Sequence, residues 1–449
     1  MFEDLREIVE IKSVDAPASR ADAPFGQGLR NALDWFLNKA SSYGLKVGEG
    51  DGYYGYADYG DPDAPVLGVL CHLDVVPAPD EAFTFREDEN AVYGRGVADD
   101  KGAIAMMLDI MREFREKRVR LNHRLRLIAG CNEEKNSDCI KRYRTEQEIP
   151  IISLVPDSDF PVVCSEKSIL HTALTFIEDD VFAKNVLSLT AGDRYNVIPN
   201  LATVVIAKPD TDDLFGGMAS GYLQAVNATK DDFTVTDNGK TYTVTARGKE
   251  GHAMNPDDGE NAIWKIFALL RGLYPASRFV SGIWDKLCRY DAAGVLELGC
   301  EDASGKLTIN LGWAKTELGL LTLGFDFRIP ISVSPEDVES RLLSAFPGGT
   351  INRDRYSEGF SLPEDGKLVK TLVNAYREVT GDEVSLPIHT GGGTYARELP
   401  NAVAFGSSQC PVKTTRSTAT TNSSKKPILS PQKKFTARRF STLTKTFKE

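Results

Sequence analysis

Four short stretches of this sequence concentrate side chains that bind metals or move protons. In CHLDVVP, His72 and Asp74 stand two apart, a spacing that puts both on one face of a strand. His72 can bind a metal through one ring nitrogen while Asp74 accepts the other N–H and fixes the tautomer; the plain alternative is a satisfied structural histidine. In GRGVADDKGA, the adjacent carboxylates Asp99 and Asp100 precede a glycine and the start of a helix. One carboxylate can bridge two metals, and N-capping suits Asp100. In CNEEKNSD, Glu133 and Glu134 follow an apolar strand. Adjacent carboxylates repel and rarely end a buried strand without a cation. Alternation gives them different tasks, one ligating a metal and the other acting as general base on an activated water. In PDSDFP, Asp157 closes another apolar run, where alone it would be an ordinary turn residue.

Each stretch is bland by itself. Together they place one imidazole and several carboxylates at strand ends of one domain, a mixture of ligands that suits Zn²⁺, with Mn²⁺ or Co²⁺ as alternatives.

The elements that must carry these residues alternate in type. Helical periodicity covers 2–11, 29–43, 103–115 and 138–144, and the apolar runs VLGVLCHLD, RLRLIAGCNEE and ISLVPDSD lie among them. This pattern predicts an α/β domain with a central sheet and the reactive residues at its strand ends. From about Ser168 alternating strands dominate, from HTALTFIE through LTLGFDFRIP, with helices at 261–273 and 335–345. That reads as an α+β domain on an antiparallel sheet. Near Gly359 the chain returns to helix (366–379) and strand (402–405), so the second domain is inserted in the first. The expected boundaries are 1–167 and 359–408 for the first domain and 168–358 for the second.

At 449 residues, two or three domains is the natural expectation. The N-terminus MFEDLREIVEIKSV has neither the basic start nor the apolar stretch of a signal peptide, and seven cysteines are scattered without C-x-x-C spacing. Both point to a cytoplasmic protein with free thiols. No apolar run is long enough for a membrane span. A net charge of −11 argues against nucleic acid or an anionic membrane as partner.

In their order these motifs resemble the dinuclear-zinc metallopeptidases of the glutamate carboxypeptidase and aminoacylase type, and within them the PepV-like bacterial dipeptidases. PFGQG, GRGVADDKGA, the NEE pair, PDSDFP followed by EKS, GHAMNPDDGENA and GGGTYARELPNAVAFG carry the likeness over residues 1 to about 408. The resemblance implies a catalytic domain with a mixed sheet, an inserted lid domain with an antiparallel sheet, and two zinc ions per subunit. It implies that His72 and Asp157 each bind one zinc, Asp99 bridges, Glu134 ligates the other, Glu133 is the general base and Asp74 orients His72. From the lid, His252 would stabilise the oxyanion, with Asn196 as a second polar contact. Arg328 would pair with the substrate's terminal carboxylate, and the backbone of Gly391, Gly392, Gly393 and Thr394 would donate to the same group. A lid histidine, a strand-end arginine in a salt bridge and a plain glycine turn are the corresponding structural roles. His123, His171 and His389 match no ligand position. Structural roles suit the first two, and His389 stays open.

The implied substrate is a small peptide and the implied assembly a monomer or a lid-mediated homodimer. An N-acyl amino acid amidohydrolase would use the same metals and base. A catalytically silent, degraded homologue is the third reading.

The third reading arises because the pattern breaks. After AVAFG the family has a Pro-Gly-acidic loop and then a zinc-binding His followed by x-x-Asn-Glu, whereas this chain has no His beyond His389. Residues 409–449 hold ten Lys/Arg against one acid, Glu449, and no glycine, while residues 1–408 hold 43 bases against 63 acids. Such a composition reads as disordered. One allowed back-translation of CPVKTTRST, read two bases along with third bases chosen freely, gives PGEDDTIH; continuing through TATTNS permits SDNEF. This is the loop, the absent His and the Asn-Glu. We therefore read the segment from about Gln409 as an out-of-frame translation, from a mutation or a sequencing error. Sequencing the locus is expected to show the break. An uninterrupted frame, with the basic tail confirmed in the expressed protein by mass spectrometry, refutes the sequencing-error version.

Overall fold

A computed structural model describes residues 1–88, 91–211, 213–288, 296–409 and 423–425. The chain divides into two compact units. One comprises Met1–Cys164, Leu362–Ile388 and the chain from Gly393 onward; the other comprises Ser165–Ser361 with His389–Gly392.

The first unit is built on a mixed sheet. Its strands run in the spatial order Lys46–Gly50, Tyr54–Tyr59, Arg124–Gly130, Val66–His72, Ile152–Val155, Ala402–Ala404 and Val163–Glu166. Arg124–Gly130, Val66–His72, Ile152–Val155 and Ala402–Ala404 are parallel neighbours. The hairpin Lys46–Gly50/Tyr54–Tyr59 adds an antiparallel edge. Every residue of Val66–His72 is buried, as expected for a parallel strand covered on both faces, and this is why its sequence is a continuous apolar run rather than an alternation. The helices Phe2–Glu10, Gln27–Ser42, Lys101–Glu116 and Lys367–Thr380 supply the cover through Leu5, Ile8, Leu33, Phe36, Leu108 and Leu372.

The second unit carries an eight-stranded sheet. Its order is Phe233–Asp237, Thr241–Arg247, Leu201–Ala207, Val186–Ala191, Thr308–Glu317, Leu320–Ile329, Ser168–Ile177 and Thr350–Ser357. All its pairings are antiparallel. One face is covered by Ala262–Leu273 and Arg278–Leu287, which bury Ile266, Phe267, Leu270 and Ile283. Asn261 caps the first of these helices by accepting from the Ile263 N–H at 2.9 Å, and it donates to the Leu311 carbonyl. A mixed sheet in the first unit and an antiparallel one in the inserted second are the architecture read from the sequence.

No described helix is long and apolar enough to cross a membrane. Of the basic tail, Gln409 ends a short strand and Ser423–Lys425 pairs with Ala91–Tyr93. The rest of it, 410–422 and 426–449, lies outside the described residues.

Phe267 is fully buried in the second core. Phe267→Ala should therefore destabilise that unit by about 3–5 kcal/mol, seen as a lower denaturant midpoint with an unchanged slope.

Candidate active site

The parallel strands of the first unit end at one level. His72 lies opposite Gly130 in the ladder, and the Leu73 N–H donates to the Gly130 carbonyl at 2.8 Å. Residues just beyond those ends therefore meet: Asp74 after Val66–His72, Glu133 and Glu134 after Arg124–Gly130, Asp157 after Ile152–Val155. The C-terminal edge of parallel strands is where α/β folds place their ligands. Asp99 arrives from the turn before the helix Lys101–Glu116. That turn needs Gly96 at φ +87°, where an added Cβ would also strike the Lys101 side chain.

His72 Nε2 lies 2.8 Å from Asp99 Oδ1 and 3.6 Å from Asp157 Oδ2. Donor atoms of these three residues all lie within 4.8 Å of one another. Ligands on a tetrahedral zinc at ~2.0–2.2 Å stand about 3.4 Å apart, so the set fits a shared cation. Glu134 is not in that group of three.

Asp74 does something other than the sequence suggests. The partner of His72 Nδ1 is the Asp74 backbone carbonyl at 2.8 Å; the nearest carboxylate oxygen is at 3.5 Å. The carbonyl accepts the Nδ1 proton and leaves Nε2 toward Asp99 and Asp157. The Asp74 carboxylate instead accepts the backbone N–H of Glu133 at 3.0 Å and of Glu134 at 2.9 Å. It thus ties the end of one strand to the residues after the next. Asp100 stands at the N-cap position of Lys101–Glu116 without a side-chain cap bond. Its carboxylate accepts the His72 backbone N–H at 3.2 Å, a contact that competes with capping. The Asp99–Asp100 peptide is cis.

So many carboxylates at one imidazole must repel one another. Burial pushes Glu133 well above the usual carboxylate range; His72 opposes this, while Asp157 and Glu134 add to it. Burial and Asp99 push Glu134 up to about 8. Burial alone would lower His72, but Asp157, Asp74 and Asp99 hold it well above its ordinary value. Asp99 is held low because His72 outweighs its burial. An imidazolium and a divalent cation answer the same excess of negative charge, and this donor chemistry fits the cation.

Sequence reasoning passed over Tyr395, although it stands inside GGGTYAR. Its ring meets His72 edge-on at 6.2 Å, and its hydroxyl lies 2.9 Å from Cys139 Sγ. Gly130 makes room for it, since an added Cβ would lie 2.2 Å from that hydroxyl.

In the second unit, His252 pairs with Val197 in a short ladder, and the Ala253 N–H donates to the Asn196 carbonyl at 3.0 Å. His252 Nδ1 accepts the Met254 N–H at 3.1 Å, which leaves its proton on Nε2. Desolvation in its crowded surroundings and then the charge of Arg328 lower its pKa, favouring this neutral donor form. Arg328 is buried and bonded to Asp326 through Nε (2.6 Å) and Nη2 (2.8 Å), and through Nη1 to the Gly391 carbonyl (2.7 Å). The glycine loop is thus partly spent on itself. Gly391 offers Arg328 its carbonyl, the Gly392 N–H donates to Thr390 Oγ1 at 3.0 Å, and the Thr394 hydroxyl caps Tyr395–Arg397 by accepting from Ala396. An added Cβ on Gly393 would meet the Arg397 guanidinium at 2.7 Å. His171 is bonded to Asp326, and His389 Nδ1 to Ser165 Oγ at 2.7 Å.

Residues 68–419 match the profile of Peptidase family M20/M25/M40. The chain is 30% identical to "Putative dipeptidase YtjP" of Bacillus subtilis (strain 168), over 90% of this chain and 89% of that protein. It is 32% identical, with the same coverage, to a Staphylococcus epidermidis protein of the same dipeptidase designation. In fold it resembles a tripeptidase from Staphylococcus aureus (TM-score 0.56, 15% identity, 99% of this chain and 98% of that one). It also resembles the di-peptidase Dug1p from Saccharomyces cerevisiae (TM-score 0.54, 11% identity, 99% and 95%).

Because the Asp74 carboxylate holds the Glu133–Glu134 segment through two backbone N–H groups, Asp74→Ala should weaken divalent metal binding about 10–100-fold, measured by competition titration against a chromophoric chelator; the backbone carbonyl on His72 Nδ1 is kept in this variant. Unchanged affinity would mean that the strand ends hold the ligands without it.

Proposed function

The chain belongs to peptidase family M20/M25/M40, and on that premise we propose that it hydrolyses dipeptides with zinc as cofactor. The observation that carries this reading is the convergence of His72, Asp99 and Asp157 beside a glutamate pair held by Asp74. His72, Asp99, Asp157 and Glu134 would supply ligands to a zinc pair that is complete only with the histidine absent after AVAFG; the metal would supply Lewis acidity toward the scissile carbonyl and an acidified water.

The protein's own residues do the rest. Glu133 takes the proton from the water as its oxygen bonds to the carbonyl carbon, and returns it to the amine nitrogen as the C–N bond breaks. Asp74 positions Glu133 through its backbone N–H. His252, neutral with Nε2–H as donor, stabilises the oxyanion, and Asn196 adds a polar contact. Arg328 grips the C-terminal carboxylate. The loop 391–394 shapes that end of the site. Cysteines that form no disulfide among the described residues, such as Cys71, Cys131, Cys139, Cys288 and Cys300, fit work in the cytoplasm.

This chain as it stands lacks the last histidine of the family pattern. We expect it to bind fewer than two zinc ions and to be at least about 10–100-fold less active than a version with the restored frame. Metal analysis and dipeptide hydrolysis of the two chains side by side test this; equal values would remove the need for the absent ligand. Cleavage of N-acyl amino acids without dipeptide cleavage would move the assignment to an amidohydrolase. In the restored-frame chain, Glu133→Gln should lower kcat by about 10²–10⁴-fold with metal content unchanged. A kcat within threefold of the parent would exclude Glu133 as the base.

A further inference from the structure

Asp326 is wholly buried in the second unit, in the middle of its sheet. The strand register puts it opposite His171 on one side and Asn310 on the other. The three form a polar row across neighbouring strands otherwise packed with Leu, Phe and Ile. Such a row needs a full set of partners, and it has them. His171 Nε2 lies 3.0 Å from Asp326 Oδ2. Asn310 donates to the carbonyls of Tyr195 and Val197, both at 2.9 Å. The Tyr195 ring stacks flat on His171, with centroids 4.8 Å apart and planes 7° from parallel.

The charge of Asp326 is directed at one target. Both its oxygens accept from Arg328, two residues on along the same strand and on the same face. With the Gly391 carbonyl on Nη1, three of the five N–H groups of the guanidinium are committed and its plane is fixed. One N–H on each terminal nitrogen remains to donate. A lysine, or an arginine without Asp326, would reach the same place without that orientation.

We propose that Asp326, backed by His171, is the positioning residue that orients Arg328 for a free carboxylate, so that the preference for a free peptide C-terminus is set by this row. The inference rests on the reading of Arg328 as the carboxylate ligand. The row does more than hold the sheet: Asn310 and Tyr195 fix the segment that carries Asn196 and pairs with His252. One rung of the sheet thereby supports every polar group the second unit is proposed to offer substrate.

The test is calorimetric binding of alanyl-alanine and of its C-terminal amide to the full-length chain. A Glu133→Gln background keeps the peptide from being consumed. The parent should prefer the free acid by about tenfold or more, the scale of a charge-assisted pair. Arg328→Met should abolish the preference. Asp326→Asn should bring it to within about threefold, and His171→Phe, which keeps the stack on Tyr195 but removes the bond to Asp326, should reduce it measurably. A purely structural role would lower stability and leave the acid-to-amide ratio alone. If the parent shows no preference, the carboxylate reading falls and this inference with it. If Arg328→Met abolishes the preference while Asp326→Asn and His171→Phe keep it, the reading of Arg328 stands and the inference is overturned. If Asp326→Asn fails to fold by circular dichroism, His171→Phe decides alone: a full preference overturns the inference and a reduced one supports it.

Discussion

The structure depends on negative charge that has been gathered and must be balanced. Asp74, Asp99, Asp100, Glu133, Glu134 and Asp157 come to one end of the first unit's sheet around a single imidazole. In water these groups would separate. Here they are held by backbone whose position is set elsewhere, by parallel strands buried on both faces and helices packed over them. The hydrophobic core contributes the free energy that offsets the repulsion, and a divalent cation relieves what is left. A site of this kind is destabilising by itself and requires a stable scaffold around it.

The second unit solves a different problem by similar means. Arg328 is held inside its sheet by Asp326, whose own burial is offset by Arg328 and by His171; on the proposed reading this turns a guanidinium on a flexible stem into an oriented recognition group. A buried ion pair of this kind is weak evidence for stability. Its value here lies in geometry.

Much of this was legible in the sequence because the physics is periodic. Val66–His72, Arg124–Gly130 and Ile152–Val155 are readable as apolar runs ending in acids, and the position of those acids at strand ends of one domain suggests a metal site. The alternating strands of the second unit were equally plain. The hairpin Lys46–Gly50/Tyr54–Tyr59 was passed over, because its strands are rich in glycine and short in aliphatic residues, although Asp51-Gly52 at its tip was a turn signal. The helices Gly217–Ala225 and Arg278–Leu287 also went unread. The first is rich in glycine and alanine. At the site, residue types were readable and their partners were not. His-x-Asp suggested carboxylate on imidazole, but the backbone carbonyl of the same residue reached the ring first. Arg328 was readable from the resemblance; Asp326 was not singled out, and only the register across three strands shows what stands behind the arginine.

The first unit's sheet also has an order of assembly. Its strand Ala402–Ala404 lies between Ile152–Val155 and Val163, so the gap it fills stays open until the whole of the second unit has been made. At ribosomal speeds of about 5–20 residues per second, the waiting time is tens of seconds or less. During that interval the edges of two neighbouring strands stand bare, beside the loops that will carry Asp157 and the glutamates. Their exposure is governed by the pace of translation rather than by the strength of any contact in the finished molecule.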